Sequence, residues 1–132
     1  TAASAGIVRG LALPCSTAGR QSWVLSLLSS QRTPIARRVE SWLPGDGGLL
    51  QRGFGHCERA GPLPTGPDTA VTPAALGLIG QAWVDGVARV GSGAAVAGNA
   101  FVAERQGVGL DAVLVVPVTA EGTVGEVVAL HF

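Results

Sequence analysis

The feature that most constrains this chain is an internal repeat: residues 5–29 lie over residues 108–132 without a gap. With AGIVRGLALPCSTAGRQSWVLSLLS set over VGLDAVLVVPVTAEGTVGEVVALHF, Gly6 meets Gly109, Leu11 meets Leu114 and Pro14 meets Pro117. Gly19 then meets Gly122, Val24 meets Val127 and Leu27 meets Leu130. Each copy is an apolar strand ending at Pro, a short polar turn with one Gly, and a return strand rich in large or β-branched residues, the pattern of a β-hairpin. Pro14 and Pro117 fall at strand ends, where a missing N–H costs no ladder bond. Any two Val- and Leu-rich hairpins share such features, so coincidence of composition is the alternative. A true duplication demands the same backbone in both copies.

The rest of the chain reads as one domain. It has 132 residues, 47% of them hydrophobic and 14% charged, which excludes a disordered tail and leaves room for one core. Nine Arg balance nine acidic residues with no run of like charge, so no footprint for nucleic acid or an acidic membrane exists. The longest apolar stretches, such as residues 112–118, fall far short of the ~20 residues that span a bilayer. The chain reads as cytoplasmic, with no membrane insertion. The absence of Met and the Ala-rich start at 1–6, which resembles the end of a helix such as Asn99 caps before the second hairpin, mark it as a piece of a larger protein.

Strands are expected at 8–14, 21–29, 35–43, 48–56, 111–118 and 123–131, giving an α+β fold with an antiparallel sheet of about six strands and helices packed on it. PGDG at 44–47 supplies a tight reversal between two of them. Residues 60–73 carry enough Pro and Gly to read as a surface loop. Thr72 and Pro73 then cap a helix over 74–85, with Leu76, Ile79 and Trp83 on its inner face and Gly86 as its stop. Residues 87–100 start as a strand and dissolve into small side chains. Trp23, Trp42 and Trp83 are the largest apolar candidates for the core.

Three segments carry a resemblance to a known family. GLIGQAWVDG at 77–86 is similar to the Gly-x-x-Gly-x-x-Trp-x-x-Gly helix of GAF domains, the sensory and regulatory modules of bacterial signalling proteins. GLDAVLVVPVTAEGTVGEVVALHF at 109–132 resembles their closing hairpin, and RRVESWLPGDGGLLQRGFG at 37–55 their opening one. The resemblance divides the chain into a GAF-like domain at 31–132 and a hairpin at 1–30, which either ends a preceding GAF-like repeat or joins the same sheet. It implies a PAS-like sheet architecture and a small ligand held between the sheet and residues 87–108. The ligand-binding candidates are then Trp42, Phe54, His56, Ile79, Trp83, Val96, Phe101 and Arg105. The Asn-Lys-Phe-Asp-Glu signature of cyclic-nucleotide binders and the Asp-Ile-Pro and Cys-His settings of bilin binders are missing, which argues against both ligands.

Little in the sequence points to catalysis. His56–Cys57 is the one adjacent pair able to ligate haem iron or activate a thiol, and it reads instead as a strand end without special role. No cofactor or metal is expected. Arg37–Arg38 reads as a solvated two-charge patch. His131 is expected to face solvent or a neighbouring element, and Asp85, Glu104, Asp111, Glu121 and Glu126 fall in turns and helix ends. The functional expectation is a non-catalytic sensory module with an adjoining output domain and a homodimeric state. A structural or dimerising GAF-like domain without ligand is the alternative, and a thiol-dependent methionine sulfoxide reductase using Cys15 and Cys57 is a minor one.

Overall fold

Alternation of apolar and polar residues, punctuated by Gly and Pro, organises the chain around one antiparallel sheet. A computed structural model describes the backbone of residues 6–17, 20–30, 34–92 and 110–132, and their side chains except those of 9, 14–17, 20–23 and 25. The strands are β1 (Ile7–Thr17), β2 (Arg20–Ser30), β3 (Arg38–Pro44), β4 (Leu50–Cys57), β5 (Gly61–Pro62), β6 (Gly66–Val71), β7 (Arg89–Ser92), β8 (Ala112–Ala120) and β9 (Thr123–His131). The one α-helix among the described residues, α1, runs Leu78–Asp85. A seven-stranded sheet has the order β5-β4-β3-β9-β8-β7 with β6 also paired to β4, and β1 and β2 form a separate two-stranded sheet. β3 is therefore central, bonded to β4 on one side and to β9 on the other. No described helix is long and apolar enough to cross a membrane.

The turns follow residue chemistry. Between β8 and β9, Glu121 and Gly122 both have positive φ, 51° and 82°, the two-residue turn whose twist suits a hairpin. PGDG and the following Gly reverse the chain between β3 and β4 through a short 3-10 turn, Asp46–Gly48, as expected.

Three expectations need correction. The expected strands 8–14 and 21–29 form a sheet of their own, and the main sheet reaches seven strands because β7 joins its edge and residues 60–73 are not an irregular loop: β5 and β6 both pair with β4. Their Pro residues sit in short strands at the sheet margin, where a lost N–H costs least. The Thr69 hydroxyl donates to the Gly66 carbonyl and accepts from the Arg52 backbone N–H at 2.8 Å, pinning the segment. The helix over 74–85 is likewise interrupted. Pro73–Leu76 form a 3-10 turn, and Gly77, at φ 57° and ψ −122°, separates it from α1. The stop at Gly86 is as expected: it is left-handed, and its N–H donates to the Ala82 carbonyl at 2.9 Å.

The sheet has two covered faces. On one, α1 and its preceding turn bring Leu76, Ile79 and Ala82 onto Trp42, Leu50, Val113, Val115, Val127 and Ala129. Trp83 is half-buried at the margin of this cluster rather than central, because Ile79 and Ala82, three apart, take the inner face. Trp42 is fully buried, and the Trp23 side chain lies outside the described residues. On the other face Leu13 of the first hairpin meets Val128 and Leu130, with Leu11, Leu27, Val39, Leu114 and Val116 around them.

The two repeated hairpins share one register. Leu11↔Leu27, Leu13↔Leu25 and Pro14↔Val24 in the first correspond to Leu114↔Leu130, Val116↔Val128 and Pro117↔Val127 in the second. One irregularity is repeated too, between Cys15 and Ser16 and between Val118 and Thr119, while a second, between Ile7 and Arg9, belongs to the first hairpin alone. Gly19, the Asn99-capped helix and the start at 1–5 lie outside the described residues.

Gly80 explains one glycine of the helix motif. A Cβ there would fall inside the van der Waals radius of the Pro73 carbonyl oxygen, so only glycine lets α1 back onto its own entry turn. Gly80→Ala should cost about 1–3 kcal/mol or more in urea unfolding, the range for overpacking. Gly125→Ala, where an added Cβ meets nothing within 4 Å, should be close to neutral. Equal costs at the two positions would contradict the close approach.

Candidate functional site

The alternation of β3 sends Arg38, Glu40 and Trp42 to the helix side of the sheet and Val39, Ser41 and Leu43 to the other. Register then places His131 of β9 opposite Arg38, and Arg52 of β4 opposite Trp42. The result is a cluster of ionisable groups with Arg38, Glu40 and Arg52 all at 0% exposure. Arg38 Nε donates to Glu40 Oε1 at 2.6 Å, and His131 Nε2 stands 3.2 Å from the same oxygen. Arg52 Nε and Trp42 Nε1 both donate to Glu40 Oε2 at 3.2 Å. Arg52 also donates from Nη1 to the Pro64 carbonyl at 2.9 Å and lies over the Trp42 ring, 5.1 Å from its centroid. Gly55 leaves room for it, since a Cβ there would stand 2.8 Å from both Arg52 Cδ and Leu63 Cβ.

Burial is the largest influence on Glu40 and opposes its ionisation. The hydrogen bonds and charges of His131 and Arg38 together outweigh it and hold the carboxyl far below the usual carboxylate range. Both oxygens are engaged and sealed from solvent. The group is thus a clamp across β3, β4 and β9 rather than an acid or base for an external substrate.

This cluster overturns one sequence expectation and makes another specific. Only Arg37 is exposed; Arg38 is buried, because neighbours on a strand face opposite ways. His131 turns to a neighbouring element, one of the two settings expected of it, and is buried against Glu40 of β3. Glu40 itself was not among the candidates. The available signal was alternation: Arg38 and Glu40 share the face of Trp42, and His131 that of Val127 and Ala129.

The ligand-binding candidates among the described residues do not converge. Trp42 and Ile79 are packed in the helix-side core with Trp83 at its margin, while Phe54 and His56 emerge on the opposite face. Val96, Phe101 and Arg105 lie outside the described residues. The same alternation separates His56 from Cys57, which is fully buried on the helix side beside Arg38, so the two cannot ligate one iron. Among the described residues no group of three or more His, Cys, Asp or Glu is placed to hold a metal ion.

Phe54 and His56 instead line a cleft of about 350 Å³ between the first hairpin and the sheet. Gly10, Leu11 and Ser29 come from the hairpin, Pro34, Ile35 and Ala36 from the connection, and Val39 from the sheet. Its walls are mostly apolar, with His56 and Ser29 as the polar groups. Elsewhere Glu126 and Asp85 make side-chain bonds. Ser41 Oγ donates to Glu126 Oε1, and Asp85 accepts from the Val87 N–H and pairs with Arg89, which lowers the Asp85 carboxyl below its usual range.

Removing the carboxylate while keeping its shape isolates its role. Glu40→Gln should cost about 3–5 kcal/mol in urea unfolding at pH 7, because two buried guanidinium groups lose their counter-charge. Since the folded carboxyl is depressed, its stabilisation is complete above about pH 4.3, the unfolded value, and is lost as pH falls below it. The wild type should lose stability through that window while the variant changes less; parallel pH profiles would contradict the assignment.

No protein-family model, no curated protein and no solved structure matches the chain.

Proposed function

We propose that the chain is a non-catalytic, GAF-like regulatory module of a larger cytoplasmic signalling protein, which takes a small and mostly apolar ligand in the cleft between the first hairpin and the sheet. The cleft carries the reading: its volume of about 350 Å³ suits a small molecule, and it joins apolar walls to two polar groups, His56 and Ser29. The ligand position differs from the one the family resemblance implies. On the helix side the described core is filled by Trp42, Leu50 and Ile79, whereas the hairpin side holds the cleft beside its apolar cluster. A ligand there touches the hairpin and the sheet together, so binding biases their relative position, which is what a neighbouring output domain would read.

The family part of this reading rests on the sequence motifs, whose places in the fold are as follows. The segments similar to the opening and closing hairpins are neighbours at the centre of the sheet, and Gly77, Gly80 and Gly86 of the helix motif each meet a local backbone demand. A thiol reductase lacks comparable support, since Cys57 is sealed in the core. The structural and dimerising alternative draws on the exposed Val84, Val87 and Val90 around the end of α1 and on β7, a surface suited to a homodimer.

The fluorescent probe 1-anilinonaphthalene-8-sulfonate tests the cleft, having an apolar body and one anionic group. The native protein should bind it, and Ala36→Trp, which fills the cleft, should weaken binding at least about tenfold, or ~1.4 kcal/mol. Thermal unfolding of the variant checks that the fold is retained. Absent binding, or binding untouched by the substitution, would leave the structural reading in its place.

A further inference from the structure

The cleft between the first hairpin and the sheet has a chemistry that selects its occupant. Phe54 and His56 stand two apart on β4 and so share one face, with Val39 opposite His56 in the β3 register. A ligand whose polar end meets His56 therefore lays its body against Phe54, which is 53% exposed. Across the cleft, Leu11 of β1 supplies an apolar wall and Ser29 of β2, itself only 5% exposed, a hydroxyl.

Charge narrows the class. Among the described residues no Asp or Glu lines the cleft, and His56 is the one ionisable group that does. Glu126, on the same face of the sheet, is held by the Ser41 hydroxyl outside the lining, and Arg38 and Glu40 are sealed on the opposite face. Just past the β3–β4 pair the Glu58 N–H donates to the Arg37 carbonyl at 2.7 Å, and both residues are exposed and outside the lining. Opposite Ser29 in the hairpin register stands Arg9, a cation's position rather than an acid's. A cationic ligand would thus be desolvated with no counter-charge. A wholly apolar one would cover His56 and Ser29 and leave both unpaired. An anionic head accepts hydrogen bonds from both, and charge-assisted bonds are the stronger kind. His is also the side chain that gains a proton near neutral pH, which adds charge to the bond.

We propose that the cleft binds an organic carboxylate with a flat apolar body, its head at the His56 imidazole with the Ser29 hydroxyl as second donor, and its body against Phe54 and Leu11. This rests on the reading of the cleft as a ligand site and names the class of ligand. One donor and one wall come from the hairpin and the others from the sheet, so the bound carboxylate ties the two together.

Calorimetric titration at pH 6 with three probes of one shape, 2-naphthoate, 2-naphthylmethanol and 2-naphthylmethylammonium, tests it. The carboxylate should bind at least about tenfold more tightly than the alcohol, and the ammonium more weakly than either. His56→Gln should bring carboxylate and alcohol to within about threefold of each other, and Ser29→Ala, an independent variant, should narrow the same preference. Ala36→Trp should weaken both ligands, which locates them in the cleft. An alcohol that binds as tightly as the carboxylate, or a preference untouched by His56→Gln and Ser29→Ala, would overturn the carboxylate head and leave the cleft a binding site. Binding of none of the three, or binding untouched by Ala36→Trp, would overturn the cleft reading and this inference with it.

Discussion

A single buried carboxylate holds the centre of the sheet together. Glu40 lies on the strand that joins the two halves of the chain, with β4 on one side and β9 on the other. Taking two guanidinium groups and a carboxylate out of water is costly, and the arrangement is tolerable only because both carboxylate oxygens are engaged. The cluster also fixes the margin of the sheet, since Arg52 reaches on to the Pro64 carbonyl and its backbone N–H meets Thr69. A one-residue register error at β3 would carry Glu40 and Arg38 together to the opposite face and take the carboxylate away from Arg52 and His131, so the cluster selects one pairing.

Around that clamp, strand periodicity divides the labour. The helix side carries the ion cluster at one end and the aliphatic core beneath α1 at the other, whereas the hairpin side is apolar and contains the cleft. The same physics acts twice, because the first hairpin repeats the register and the bulge of the last. What differs is cover: α1 packs on the second hairpin and nothing described packs on the outer face of the first.

Much of this was legible from residue order. Both repeated hairpins, the PGDG reversal and the position of α1 follow from period-two patterning and turn chemistry, which act locally. Strands β5 and β6 were hidden because Pro and Gly signal a loop, and only pairing with β4 across the sheet overrides that signal. The ion cluster was hidden for a related reason. Arg38, Glu40, Arg52 and His131 lie on three strands, and nothing local distinguishes a buried guanidinium from a solvated one. Phe54 and His56 stand on the opposite side of the sheet from Trp42 and Ile79, a separation that only the alternation of β3 and β4 together makes visible.

The claim that Glu40 organises the sheet is tested most directly by a double-mutant cycle of Glu40→Gln with Arg52→Met, read by urea unfolding at pH 7. If the two side chains stabilise the fold through each other, the losses are not additive, and the coupling is at least about 1.5 kcal/mol. Losses that sum to within about 0.5 kcal/mol would show two independent residues and contradict the account.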